Sequence, residues 1–187
     1  MDVVSVISSE SVAGTPPVRP ESPFPLVFPQ ELLESAAAHL CQRGDDACEQ
    51  MVLFAGVPAN GTALITTLLL PDTKSSWGHV EVVRSEQPAI AEWLVEHRQL
   101  LFVESHTHGG RGARSTKISS IDTATPVSIR DGFLTVIVPA YAQDGIDFRT
   151  AGVWECHRLK WRRLSIRDVA SRFSAVSTEE VIGRVAR

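Results

Sequence analysis

An apolar, strand-like stretch from Gln99 to Val103 runs directly into His106-Thr107-His108. That junction constrains the fold more than any other feature, because it sets a buried strand against a polar end. A strand points residues i and i+2 to one face, so both imidazoles address a single point. A glycine-rich loop, Gly109-Gly110-Arg111-Gly112-Ala113-Arg114, then leads to Ser119-Ser120-Ile121-Asp122, whose aspartate supplies a third ligand. Two nitrogens and one carboxylate oxygen suit a divalent zinc, and three protein ligands leave a fourth position for water. This is the pattern of a catalytic zinc site rather than a structural one.

Other segments build a sheet around that strand. Phe133 to Val138 is a continuous apolar run bounded by Gly132 and Pro139, which fits a central strand. Met51 to Phe54 and Thr62 to Leu70 read as two strands joined by the turn Pro58-Ala59-Asn60-Gly61. Val153 to His157 and Leu159 to Trp161 form a candidate hairpin. Leu32, Leu33, Ala36, Ala37 and Leu40 recur at helical spacing after Pro29, with Gly44-Asp45-Asp46 as the stop. Ala89, Ile90, Trp93, Leu94 and His97 give a second helix. Segments Ile166 to Phe173 and Thr178 to Val185 read as closing helices. Strands with interspersed helices indicate an α/β or mixed sandwich. Residues 1–24, rich in serine and proline, read as a disordered tail, although Val3-Val4-Ser5-Val6-Ile7 has the composition of a strand. Residues 25–187 form the folded domain. There are no internal repeats.

Composition narrows the function. A chain of 187 residues with 43% hydrophobic residues makes one globular domain. A formal charge of −4 lacks the electrostatic footprint of a nucleic-acid binder. The locally basic C-terminal region (Arg158, Lys160, Arg162, Arg163, Arg167, Arg172) reads as a solvated face, or as a docking patch for an acidic partner. Cys41, Cys48 and Cys156 form neither a CxxC pair nor an even framework and read as reduced thiols. No apolar run reaches the length of a membrane span, and the N-terminus lacks signal-peptide order. The expected location is the cytoplasm.

The constellation resembles the JAMM (JAB/MPN+) zinc metalloisopeptidases, whose motif is an upstream glutamate, His-Ser/Thr-His, and Ser-x-x-Asp. His106-Thr107-His108 matches the middle element and Ser119-Ser120-Ile121-Asp122 the last. Glu49, just before the apolar run Met51-Val52-Leu53-Phe54-Ala55-Gly56, matches the glutamate. The resemblance covers roughly residues 30 to 165. Two departures lie in one loop: Gly109 stands where the family often has proline, and the stretch from His108 to Ser119 is a few residues longer than usual.

The resemblance implies a curved sheet flanked by helices, with one Zn2+ per chain held by His106, His108 and Asp122. Glu49 becomes the general base that takes a proton from zinc-bound water and returns it to the leaving amine. Ser119 becomes the donor to the tetrahedral oxyanion. Asp45 and Asp46 compete with Glu49 by proximity, and Ser120 with Ser119, until the motif register decides. Arg111 and Arg114 are candidates for substrate contacts.

As for substrate, the family cleaves bonds to ubiquitin or ubiquitin-like proteins. The C-terminal stretch Val153-Trp154-Glu155, Trp161-Arg162-Arg163-Leu164 resembles bacterial JAB proteins encoded with E1- and E2-like enzymes. That suggests processing or deconjugation of a ubiquitin-like protein, in a setting such as antiviral defence. The alternatives are a peptidase acting on a sulfur-carrier protein and a non-catalytic MPN scaffold that binds partner proteins. A metallo-β-lactamase-type site would call for a further Asp-His after His108, where this chain has Gly109-Gly110. His39, His79, His97 and His157 read as structural or surface residues.

Overall fold

The structure, a computed structural model, describes residues 1–5, 24–42, 48–112 and 114–178. Strands β1 (Asp2–Ser5) and β2 (Leu26–Pro29) are followed by α1 (Gln30–Cys41), β3 (Met51–Ala59), β4 (Thr62–Leu70), β5 (Thr73–Ser76) and β6 (His79–Val82). Then come α2 (Glu86–Glu96), β7 (Leu100–Thr107), α3 (Ser120–Ala124) and β8 (Leu134–Val138). The chain continues through β9 (Gly152–His157), β10 (Lys160–Arg163), α4 (Ile166–Arg172) and β11 (Phe173–Val176). Among the described residues, nine strands join one curled sheet in the order β10-β9-β8-β7-β3-β4-β2-β11, with β1 also on β4. The expected mixed α/β architecture, a curved sheet flanked by helices, is what the chain adopts.

The centre of the sheet follows from the apolar runs. β3 and β4 form a hairpin whose two turn residues, Asn60 and Gly61, have φ of 48° and 76°, the left-handed pair that matches the twist of its strands. A bulge between Ala55 and Gly56 shifts the register. There the backbones approach so closely that a Cβ on Gly56 would lie 2.0 Å from the Leu64 carbonyl oxygen. β7 pairs antiparallel with β3 and parallel with β8, so it is buried from both sides.

Alternation along β3 sorts its side chains between two layers. Val52 and Phe54 join the core under α1, with Leu32, Leu33, Ala36 and Leu40. Phe28, Phe54, Phe148 and Phe173 stack there edge-on or tilted. Met51, Leu53 and Ala55 face the other way, toward Val80, Val82 and Ile90 of β6 and α2. Each fully buried leucine or phenylalanine contributes about 1.5–3 kcal/mol by leaving water.

Three segments depart from the sequence reading. Asp2–Ser5, placed in the disordered tail, pairs antiparallel with Leu70–Thr67 of β4; β4 exposes an edge there, and the valine pair suits a strand. Residues 6–23 lie outside the described residues. β11, where the reading placed only closing helices, runs parallel to β2 and puts Phe173 against Phe28. Helix α4 is as read, whereas the helix expected over Thr178 to Val185 falls almost wholly outside the described residues. The hairpin of β5 and β6 is the third, a strand pair that the sequence reading did not place.

Candidate metal centre

Strand register brings the pieces together. Met51 pairs with His106 across β3 and β7. Two residues outward along β3, that register sets Glu49 across from His108, and their closest atoms, Glu49 Oε1 and His108 Nε2, are 3.9 Å apart. The residue between the histidines fastens this arrangement. The Thr107 N–H donates to the Gln50 carbonyl at 3.0 Å, and the Gln50 N–H donates to Thr107 Oγ1 at 3.0 Å. Thr107 is fully buried. Its hydroxyl is what a hydroxyl-bearing residue between the two histidines does here. The Glu49 N–H donates to the Ser76 carbonyl at 2.9 Å, so the β5–β6 hairpin holds the glutamate from the other side.

Asp122 arrives from the loop. Thr116, 2% exposed, pins that loop to β9: its carbonyl accepts from Trp154 Nε1 at 3.1 Å and its hydroxyl from Arg163 at 2.9 Å. Gly152 makes room, because a Cβ there would lie 2.0 Å from the Thr116 carbonyl oxygen. Past this anchor, Ser119 caps α3 in a reciprocal box: Ser119 Oγ accepts from the Asp122 N–H at 3.1 Å, and the Ser119 N–H donates to Asp122 Oδ2 at 2.7 Å. The cap fixes the carboxylate's orientation toward the histidines.

His106, His108 and Asp122 thereby converge, with ligand atoms all within 4.8 Å of one another. The two Nε2 atoms are 3.3 Å apart. Asp122 Oδ1 lies 3.7 Å from His106 Nε2, and Oδ2 lies 3.6 Å from His108 Nε2. A tetrahedral ion with ligands at about 2.0–2.1 Å separates them by about 3.3–3.4 Å, so the three donors are spaced to hold one. Two imidazole nitrogens this close also need a cation or a proton between them. His106 is 1% exposed, and its Nδ1 and Glu49 Oε2 are buried without a hydrogen-bond partner among the described residues. The donor set fits a divalent metal.

The charges at the site act on one another. Burial pushes the Glu49 carboxyl up to about 7, against the pull of the His108 and His106 imidazoles. Burial would also raise Asp122, but the close His106 and His108 imidazoles and the hydrogen bond from the Ser119 N–H hold it well below the usual carboxylate range. Burial alone would lower His106, yet the Asp122, Glu104 and Glu49 carboxylates outweigh it and lift the imidazole above its ordinary value.

Comparison with known proteins points the same way at a coarser level. The chain is 27% identical over 127 residues to a protein of Sinorhizobium fredii (strain NBRC 101917 / NGR234) described as "Probable metalloprotease y4jG". That match covers 66% of this chain and 76% of the relative. The fold is that of protein DSY2949 from Desulfitobacterium hafniense, a solution structure matched with a TM-score of 0.56 at 12% identity over 81% of this chain and 93% of that one. No family model matches the chain. A similarity to a protein described as a metalloprotease and a His-His-Asp cluster spaced for a metal ion stand together.

Arg111 is engaged on the surface by Asp144, with Nη1 to Oδ2 at 2.6 Å; Arg114 is exposed. Asp45 and Asp46 lie outside the described residues. His79 starts β6 and pairs with Glu81 at 3.7 Å, and His97 stacks on Trp93 with ring centroids 4.0 Å apart. No helix among the described residues is long and apolar enough to cross a membrane.

Sequence reasoning missed Glu104, two residues before His106 on the same face of β7. Its carboxyl is buried and raised by that burial, and it binds the Thr135 hydroxyl at 2.9 Å and the Val127 N–H at 3.1 Å. An acid directly after the apolar run Leu100 to Val103, two residues before His106, was the available signal.

Proposed function

We propose that this chain is a zinc-dependent peptidase of the JAMM type, cleaving the amide after the C-terminus of a ubiquitin-like protein. The observation that carries the reading is a buried carboxylate, Glu49, 3.9 Å from one of two imidazoles that converge with Asp122 at tetrahedral spacing. The similarity to a described metalloprotease supports the peptidase class. The ubiquitin-like substrate rests on the motif resemblance, and service beside E1- and E2-like partners on the likeness of the C-terminal stretch Val153 to Leu164.

His106, His108 and Asp122 would hold the ion, which when bound supplies Lewis acidity toward water and a carbonyl oxygen. Glu49 has the position of the general base. Its carboxylate takes a proton from the attacking water and delivers it to the leaving amide nitrogen, so that amide plus water gives acid plus amine. Such a base contributes roughly 10²–10⁴ in rate. Ser119 Oγ already accepts from the Asp122 N–H, which leaves its own proton to donate to the oxygen of the attacked carbonyl. Arg111, now paired with Asp144, would exchange that partner for an acidic group of the substrate.

The test measures metal content together with cleavage of a ubiquitin-like fusion protein by wild type, Glu49→Gln and His108→Ala. Expected are about one zinc per chain in wild type and in Glu49→Gln, loss of zinc in His108→Ala, and cleavage by wild type alone. A chain that takes up no zinc overturns the reading in favour of a partner-binding scaffold. Zinc uptake with release of an amino acid from a sulfur-carrier protein, and no action on the fusion, reassigns the substrate.

A further inference from the structure

Tyr141 has no part in the chemistry above, yet the chain goes to unusual lengths to place it. It lies in the turn Ala140–Ala142, where three consecutive non-glycine residues have φ of 53°, 50° and 58°. L-residues avoid this region because Cβ crowds the backbone carbonyl, and visits are normally single. Such conformations persist where the surroundings over-determine them, and they gather at functional sites. The clamp here is the end of β7: the Ala140 N–H donates to the Gly110 carbonyl at 2.7 Å and the Tyr141 N–H to the His108 carbonyl at 3.2 Å. Ala140 and Ala142 are buried, 6% and 3% exposed.

The turn folds the Tyr141 ring back over Gly109, the residue that follows the second histidine. A Cβ on Gly109 would lie 2.6 Å from the Tyr141 hydroxyl and 3.0 Å from Cζ. The hydroxyl therefore fills the space that any side chain at 109 would use. A phenol keeps its proton at neutral pH, so the group is a donor there. Glycine at 109 and tyrosine at 141 are a matched pair at the mouth of the metal centre.

We infer that Tyr141 is a substrate-binding residue whose hydroxyl donates a hydrogen bond to a backbone carbonyl of the peptide lying across the metal centre, with Gly109 kept small to admit that hydroxyl. This rests on the metallopeptidase reading. The ligand it implies is an extended peptide recognised through its main chain.

Two chelating probes separate the peptide contact from the metal. Acetohydroxamate offers the chelating group alone; N-acetyl-glycyl-glycine hydroxamate adds peptide carbonyls. Binding of each to the zinc-loaded full chain is measured by calorimetry for wild type, Tyr141→Phe, Gly109→Ala and the double variant. Tyr141→Phe, which keeps the ring, weakens the peptide probe about fivefold to tenfold, the effect of one neutral hydrogen bond, and leaves acetohydroxamate within about twofold. Gly109→Ala does the same by displacing the hydroxyl, and adds little in the Tyr141→Phe background. Equal affinity of wild type and Tyr141→Phe for the peptide probe overturns the inference, as does an equal loss for both probes, which marks a purely structural role. A wild type that binds zinc and neither hydroxamate, or no zinc, instead overturns the metallopeptidase reading and this inference with it.

Discussion

Glu49 shows how one side chain can shape the pH response of the metal-free protein. Its carboxyl rises from 4.5 to about 7 because it is buried. A raised carboxyl stabilises the fold fully below its unfolded value, and that contribution is lost as pH climbs from about 4.5 through about 7. The full loss is worth on the order of 3 kcal/mol. Asp122 works in the opposite sense: its depressed value stabilises above 3.8 and is lost as pH falls below that. Taken together, these two groups favour the metal-free fold most between about 3.8 and 4.5, near pH 4. Glu49→Gln should lessen the decline on the alkaline side, to which the raised Glu104 and His106 also contribute, so that the variant gains on wild type at pH 8 by more than at pH 5. Urea titrations at both values, on metal-free protein, check this. Ser119→Ala tests a residue with two duties. Losing the cap of α3 should cost about 1 kcal/mol, and losing the oxyanion donor about 10²–10³ in kcat. A variant that is less stable yet fully active would leave Ser119 as a cap alone.

At the scale of elements, the site is a matter of register. The pairing of Met51 with His106 decides that Glu49 stands opposite His108, and a slip of one residue would send it to the other face. Thr107 guards that register. Thr107→Val keeps the shape but leaves the buried Gln50 N–H without its acceptor, at a cost of about 1–3 kcal/mol. The expected outcome is a lowered Tm and a kcat reduced more than zinc content, read by calorimetry and by metal analysis. The sequence made this much visible because periodicity and motif coincide: β3, β4, β7 and β8 are long apolar runs, and the histidines share a face by strand geometry alone. What it hid depends on distant pairing. Asp2–Ser5 is a strand only because β4 leaves an edge for it. β11 is a strand only because β2 lies alongside. The anchoring of Thr116 on β9 joins residues 38 apart, and no local pattern announces it. Arg111 and Arg114 were read from their place in the loop, and Asp144, the partner that occupies Arg111, comes from a different loop.

For the whole molecule, metal and fold are linked. An ion that binds the native chain and not the unfolded one adds about 2.7 kcal/mol of stability at a hundredfold excess over its Kd. For a chain of this size that is roughly 5–11 °C in Tm. Zinc-loaded and EDTA-treated protein should differ by that amount at neutral pH, and His108→Ala should show no difference. An equal Tm with and without zinc would count against the site. The ligands come from two separate stretches, the end of β7 and α3 beyond a pinned loop, and Glu49 joins them from a third. None of them meets the others until β3 has closed on β7 and Thr116 has docked on β9. An ion therefore has nothing to bind during most of the climb from the random chain, and its full effect falls on the descent. Stopped-flow denaturant jumps should find zinc slowing the escape from the native state several-fold while the rate of reaching it stays the same. By that reckoning the metal acts as a latch on a finished structure and not as a seed for building it.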